Sequence, residues 1–541
     1  MWSLLTRTAR RAMAGLAMAL ALAPGVAPAA VACPGDCAGD GSVSIENLVM
    51  GVNIALGSQP ISACRAMDSS GEGSVTVDDL IRAVTAALNG CPPAATPTET
   101  APAPSETPLP PTDTPAAPTD TPAPPSETPV GPTFTATPVP TGGAAFCDLP
   151  GSVQHTAPGI SVVPGGASNA PDLSFMQLPV GFCAHFFARV GNVRQLRFAP
   201  GGDLFVASPT KFTTSNGPNG RNAILILPDD DGDGTAEAPI DFMTGMNATV
   251  GMLFANDSFY YQNEQRILRM PFAPGDRAPS GESEEVANIA TFIPPLHWPK
   301  TLDIKDDGTI YVTNGGEETD PCPLPANQPY RGAILKIGDD PGGTLVAKGF
   351  RNPVSLHCVR GFNLCFAIEL TLDYSTPQGG REKLLPVRDG DDWGFPCCAT
   401  KDRPYDNRPG PDCSGVAQEI DSFFVGHTPF DLDFELGKWP DPWGRRAYVP
   451  LHGKYGSWEG ARVVGIELDR MTGMVLPGSD LMGTSTGAME DFATGWSGQP
   501  PLRQYGRPTV VAFAPDGRLF LGNDTSGDII WIAPMGLAPT P

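Results

Sequence analysis

Oxygen-bearing side chains recur in this chain at spacings that suit a hard cation. Asp36, Asp40, Ser44 and Asn47 stand at positions 1, 5, 9 and 12 of one loop, with Gly41 at position 6. Asp68, Glu72, Thr76 and Asp79 repeat the arrangement around Gly73, and Ser70 adds a hydroxyl at position 3, where the first loop has Ala38. Ca²⁺ is held by several oxygens converging on one point, and the glycine permits the sharp turn that brings them together. A third acidic turn, Asp229-Asp230-Asp231-Gly232-Asp233-Gly234, sets the carboxylates of Asp229, Asp231 and Asp233 at alternate positions. It reads as a structural Ca²⁺ turn or as a merely solvated hairpin.

A different chemistry gathers in the second half. Strand-like runs there end in polar phrases: His297-Trp298-Pro299-Lys300-Thr301-Leu302, Gly349-Phe350-Arg351-Asn352-Pro353 and Asp392-Trp393-Gly394-Phe395-Pro396. His452-Gly453, Trp458 and Gly506-Arg507-Pro508 follow. Imidazole takes a proton near neutral pH, and a planar guanidinium suits carbonyl and carboxylate oxygens alike.

The elements that position these groups differ along the chain. Each of the first two loops runs into an amphipathic apolar stretch (Leu48–Leu56 and Leu80–Leu88), so the N-terminal module is read as a small α-helical pair. From about Cys147 to Ala538 short alternating runs are punctuated by Gly, Pro and Asp, which argues for all-β structure. One phrase returns at wide intervals: Ala199-Pro200-Gly201-Gly202-Asp203-Leu204, Lys305-Asp306-Asp307-Gly308-Thr309-Ile310 and Ala514-Pro515-Asp516-Gly517-Arg518-Leu519. Read as a two-residue hairpin turn of Asp-Gly type, it signals propeller blades. Six blades of roughly 65 residues would fill this region.

On these phrases the second half resembles the soluble quinoprotein glucose/sorbosone dehydrogenases, six-bladed β-propellers that oxidise sugars with pyrroloquinoline quinone (PQQ). The resemblance implies His297 as general base and Arg351 with Asn352 as contacts to the quinone carbonyls. The family's base-orienting acid falls at Gly316, so either Glu317 swings in or that group is missing. His452 or Lys454 would pair with PQQ carboxylates, with Trp458 facing the pocket and Arg507 as a second cofactor-side arginine. A cofactor-associated Ca²⁺ loop should lie at Ser375–Glu382, with Arg381 where an acid is usual. The N-terminal pair of loops looks like a dockerin-type repeat, which implies a cohesin-like protein partner or a surface anchor. A propeller that binds carbohydrate or protein without turnover is the rival reading, since fold does not dictate function.

Charge and composition narrow the setting. The net charge of −24 and pI near 4.5 oppose nucleic-acid or anionic-lipid binding. Arg7, Arg10 and Arg11, an apolar stretch from Ala12 to Ala23 and Ala30-Val31-Ala32 form a secretory signal over residues 1–32. No apolar stretch is long enough to span a bilayer. Twelve cysteines in an exported chain imply disulfides, four before the linker and eight after it, with the pairing open. The Pro/Thr-rich run over residues 93–143 is an extended spacer. The expected plan is signal, dockerin-like module (33–92), linker and propeller (144–541).

Overall fold

The computed structural model describes residues 33–37, 41–55, 59–69, 74–89, 145–210, 220–290, 297–317, 320–328, 330–338, 340–372, 380–408, 410–454, 456–497 and 505–539. The signal, the linker, Asp40, Ser70, Glu72 and the loop 373–379 lie outside them. The chain divides into two units between Ser126 and Glu127.

The N-terminal unit holds helices Ile45–Ala55 and Val77–Asn89, stapled by the Cys37–Cys64 disulfide. Each helix opens on a reciprocal cap built from positions 9 and 12 of its loop. Ser44 N–H donates to Asn47 Oδ1 at 2.9 Å and Asn47 N–H to Ser44 Oγ at 3.3 Å. Thr76 N–H donates to Asp79 Oδ2 at 3.0 Å and Asp79 N–H to Thr76 Oγ1 at 3.4 Å. Ser69 Oγ–H reaches the other Asp79 oxygen at 2.8 Å. The residues chosen for cation chemistry therefore also satisfy the orphan N–H groups of the first helical turn.

The second unit is a six-bladed β-propeller. Its blades begin with Gln195–Phe198, Met252–Ala255, Leu302–Ile304, Asn352–Val359, Asp433–Phe434 and Pro508–Phe513, each the innermost strand of a sheet of four to six strands. The ring closes without help from neighbouring sequence. Phe182–Arg189 pairs antiparallel with Asp528–Pro534, the third strand of the last blade, with Ala184 opposite Ile532. Val153–Thr156 and Gly159–Val162 extend that sheet outward, and Cys147–Cys183 ties the segment down. Closure removes open edges that would otherwise pair with other chains.

Period-two alternation acquires an unusual meaning here. In Leu204–Ser208 and Ala223–Leu227 every residue is buried, because each blade is packed on both faces. Leu204, Val206, Leu225 and Leu227 join the core shared with the sixth blade, whereas Phe205, Ala207, Ile224 and Ile226 join the core shared with the second. Four further cores of the same kind fill the remaining blade interfaces.

The recurrent turn sits where the sequence places it, between the first two strands of the first, third and sixth blades, but it is one residue longer than the expected two-residue turn. Lys305 N–H donates to the Thr309 carbonyl and Gly308 N–H to that of Lys305, and the same pair of bonds recurs at Ala199–Asp203 and Ala514–Arg518. Gly202, Gly308 and Gly517 have φ of 100°, 86° and 100°. This is a three-residue loop whose last position needs a left-handed residue.

Candidate active site

The innermost strands converge on an axial cavity of about 260 Å³. Arg194, Val250, Trp298, Asn352, Phe430 and His452 line it, drawn from the first five blades. Three arginines occupy the same register: Arg194, Arg351 and Arg507 each immediately precede the innermost strand of their blade. Both signs of charge meet at the axis, since Asp431 lines the cavity with Arg194 and Asp524 lies against Arg194 and Arg507.

His297 precedes Trp298 on the cavity wall and is itself 9 % exposed. Its Nδ1 lies 2.5 Å from the carbonyl oxygen of Gly316. A carbonyl can only accept, so Nδ1 carries the hydrogen and Nε2 keeps its lone pair. Gly315 makes the approach possible, because a Cβ there would stand 2.5 Å from that of His297. Burial, with the Arg351 guanidinium adding to it, pushes the imidazole down to about 4, against the opposing pull of the Gly316 bond. At neutral pH His297 is therefore an uncharged acceptor.

The Arg351-Asn352 phrase is pinned from behind. Glu369, in the adjacent strand Leu364–Leu370, accepts from Arg351 N–H at 2.7 Å and Asn352 N–H at 3.2 Å. Burial pushes its carboxyl up to about 7. Glu382 does the same for the next blade, accepting from Thr428 N–H at 2.7 Å and Gly426 N–H at 3.4 Å, with burial raising it to about 8. Neighbouring Arg381 turns away to Ser422 and the Asp480 carbonyl.

A second cluster surrounds Asp524. Its Oδ1 lies 3.1 Å from His452 Nε2 and 3.3 Å from Arg507 Nε, and its Oδ2 lies 3.5 Å from Arg194 Nη1. Burial alone would raise the Asp524 carboxyl, but His452, Arg507 and Arg194 hold it well below the usual range. His452 is pushed down to about 4 by burial and by Arg507. The Arg507 guanidinium lies 5.5 Å from the ring centroid of Trp458. Trp458 is buried at φ 55°, and its indole N–H has no partner among the described residues. A strained aromatic with an orphaned donor beside the axis is the kind of group that a ligand completes.

The structure thus brings together His452, Arg507 and Trp458 on one side, and His297, Arg351 and Asn352 along the adjoining wall. Lys454 stands apart, with its side chain 42 % exposed and its ammonium 3.8 Å from Glu459. Glu317 is buried beside the base, and its backbone N–H donates to Asp320. Asp229, Asp231 and Asp233 bring carboxylate oxygens within 4.8 Å of one another. Each also caps a loop N–H, and Arg518 approaches Asp229 at 3.5 Å. Sequence reasoning missed Arg194, Asp524, Glu369 and Asp320. Arg194 carried a usable signal, the register it shares with Arg351 and Arg507. Glu369 carried another, a lone acid in the apolar run Phe366-Ala367-Ile368-Glu369-Leu370.

No family model and no curated protein matches the chain. Solved structures do. The calcium structure of a Trichoderma reesei protein of Carbohydrate-Active Enzymes Family AA12 superimposes with a TM-score of 0.54 at 17% identity, over 66% of this chain and 97% of that one. The holo form of the pyranose dehydrogenase PQQ domain from Coprinopsis cinerea gives the same TM-score and identity, over 66% of this chain and 96% of that one. At such identity the likeness establishes the six-bladed propeller shared by these proteins.

Proposed function

We propose that the propeller is a sugar dehydrogenase that works with PQQ, oxidising a hydroxyl-bearing carbon. The observation that carries this reading is His297: a buried, neutral imidazole whose Nδ1 is committed to a carbonyl while Nε2 stays available, next to Trp298 of the axial cavity, with Arg351 acting on its ring. The donor set fits the cofactor. PQQ bears three carboxylates and an ortho-quinone, and Arg194, Arg507, Arg351 and the unpaired indole N–H of Trp458 offer cationic and neutral donors for such oxygens. When bound, PQQ supplies the two-electron acceptor for hydride.

The chain's own residues do the rest. His297 Nε2 accepts the substrate hydroxyl proton, and the Gly316 carbonyl steadies the imidazolium that forms. Arg351, fixed by Glu369 beneath its backbone, places positive charge where oxygen becomes negative. Trp298 and Phe430 supply flat apolar walls against which a sugar ring or a planar cofactor can lie.

The remaining assignments follow the same plan. The N-terminal unit is proposed as a dockerin-like Ca²⁺ module, with Asp36, Asp40, Ser44 and Asn47, and Asp68, Ser70, Glu72, Thr76 and Asp79 as ligands and a cohesin-like or surface partner. Asp229, Asp231 and Asp233 are proposed as a structural Ca²⁺ turn. The disulfides Cys147–Cys183, Cys322–Cys397, Cys358–Cys365 and Cys398–Cys413 support an exported, oxidising location. Among the described residues no helix is long and apolar enough to cross a membrane.

The test is titration of the full mature chain with PQQ and Ca²⁺, followed by a panel of aldoses. Bleaching of the cofactor's absorbance that is lost in His297→Ala, with PQQ still bound, supports the enzyme. Binding without bleaching by any sugar favours the binding propeller, and no binding of PQQ overturns the reading.

A further inference from the structure

The Gly316–Glu317 peptide has partners at both ends. Its carbonyl, on Gly316, accepts from His297 Nδ1 at 2.5 Å. Its N–H, on Glu317, donates to Asp320 Oδ2 at 2.9 Å. Asp320 is 1 % exposed, and its other oxygen is paired with the Arg331 guanidinium. The peptide is held from the strand side as well, because Gly316 N–H donates to the Arg351 carbonyl at 2.6 Å. A Cβ at Gly316 would lie 2.8 Å from Asp320 Oδ2 and 3.3 Å from the Phe350 carbonyl oxygen, so any side chain there would have to push the Asp320 carboxylate aside. The space that a carboxylate at position 316 would need is already taken by the carboxylate of Asp320.

We infer that Asp320 is the positioning residue of His297, acting through one peptide unit instead of by direct contact. The argument rests on the proposed role of His297 as base. A carboxylate on the N–H end of an amide draws the amide's electrons toward its carbonyl, so the Gly316 oxygen becomes a stronger acceptor. That fixes the Nδ1–H tautomer, holds the ring in place and favours the imidazolium as the proton arrives. Arg331 in turn holds Asp320 in place through its other oxygen. Among the described residues Arg351 acts on the imidazole, Arg331 pairs with the carboxylate, and the buried Glu317 adjoins both through the shared peptide. The register of the missing acid and the identity of its substitute thus have one cause, a carboxylate moved four residues along the chain.

The experiment uses ¹⁵N-histidine-labelled full-length protein without PQQ, so that its readout is independent of turnover. In the wild type the His297 resonances should report Nδ1–H and a bare Nε2. Asp320→Asn keeps an acceptor but removes the charge, and should lower the His297 titration midpoint and mix its tautomers. In the PQQ-loaded protein it should reduce kcat by about 10- to 100-fold, with KM nearly unchanged. Asp320→Glu should restore part of both. Gly316→Ala, which displaces the carboxylate from the other side, should give the same NMR signature should Asp320→Asn fold poorly. An unaltered tautomer, midpoint and kcat in folded Asp320→Asn, or in Gly316→Ala, would overturn the inference. A locked tautomer in a wild-type protein that oxidises no sugar would leave the positioning intact and sink the dehydrogenase reading instead.

Discussion

Two buried histidines flank the axial cavity, and burial pushes both down to about 4, yet their surroundings prepare them for opposite tasks. His297 spends Nδ1 on a backbone carbonyl and keeps Nε2 for a visitor. His452 presents Nε2 to Asp524, whose carboxylate also gathers Arg507 and Arg194. Burial sets the protonation state of each ring, and the group that each ring faces decides which nitrogen is left for chemistry. The first arrangement suits the base proposed for His297, and the second suits contact with an anionic ligand.

The strongest way to break this comparison is to truncate each ring. His297→Ala should cost about 10²- to 10⁴-fold in kcat with PQQ still bound, the usual worth of a general base. His452→Ala should act chiefly on PQQ affinity; equal losses of kcat in the two variants would erase the distinction. Arg507→Ala comes next. Loss of a charge-assisted bond should weaken PQQ binding by about 1.5–3 kcal/mol, readable by calorimetry, with kcat at saturating PQQ little changed.

The pH profile sharpens the contrast further. With a lowered pKa His297 is active above its own titration, so the acid limb of kcat/KM should fall near pH 4 and not near 6.5. Stability follows a different course. His297 and His452 bind fewer protons folded than unfolded between about pH 4 and 6.5, so their contribution to stability grows as pH rises through that window. Glu369, Glu382 and Asp421, raised by burial to about 7, 8 and 8, bind more protons folded than unfolded, so their contribution falls as pH rises. Above pH 6.5 the two histidines no longer contribute, and where the raised acids outweigh buried Lys383, whose lowered pKa acts in the opposite sense, the melting temperature should decline from there to pH 8.5. Calorimetry showing a flat or rising trend would contradict that assignment. The smallest effect is expected at Lys454→Ala. With its side chain 42 % exposed and its ammonium 3.8 Å from Glu459, it should change PQQ affinity less than twofold, in contrast to His452.

Much of the propeller was legible in the chain because its signals are local. The Gly201-Gly202, Asp307-Gly308 and Asp516-Gly517 phrases mark real hairpins, and the alternating runs around them are strands. The loop length was misread by one residue, since the αL requirement at Gly202, Gly308 and Gly517 suits a three-residue loop as well as a two-residue one. The candidate site was legible where a side chain announces itself by type, as His297, Arg351 and Arg507 do. It was opaque where the effect runs through backbone or through distant sequence. Asp320 looks like an ordinary loop acid until its contact with the Glu317 amide is known. Asp524 joins groups more than three hundred residues apart, and no spacing rule announces such a meeting.

Residue type and order by themselves determined the all-β character of the second half, the helical pair before the Pro/Thr run, and which side chains possess the chemistry for proton transfer and anion binding. Those are properties of single residues and of the few neighbours that set a strand, a turn or a cap. Tertiary structure alone decided ring closure, through the pairing of Phe182–Arg189 with Asp528–Pro534. It also decided which of the two faces of each blade meets which neighbour, and how His297 is held. Those outcomes depend on where distant backbone groups come to rest. A carbonyl at Gly316 becomes a proton-orienting group only because Asp320, Arg331 and Arg351 pack around that one peptide in three dimensions.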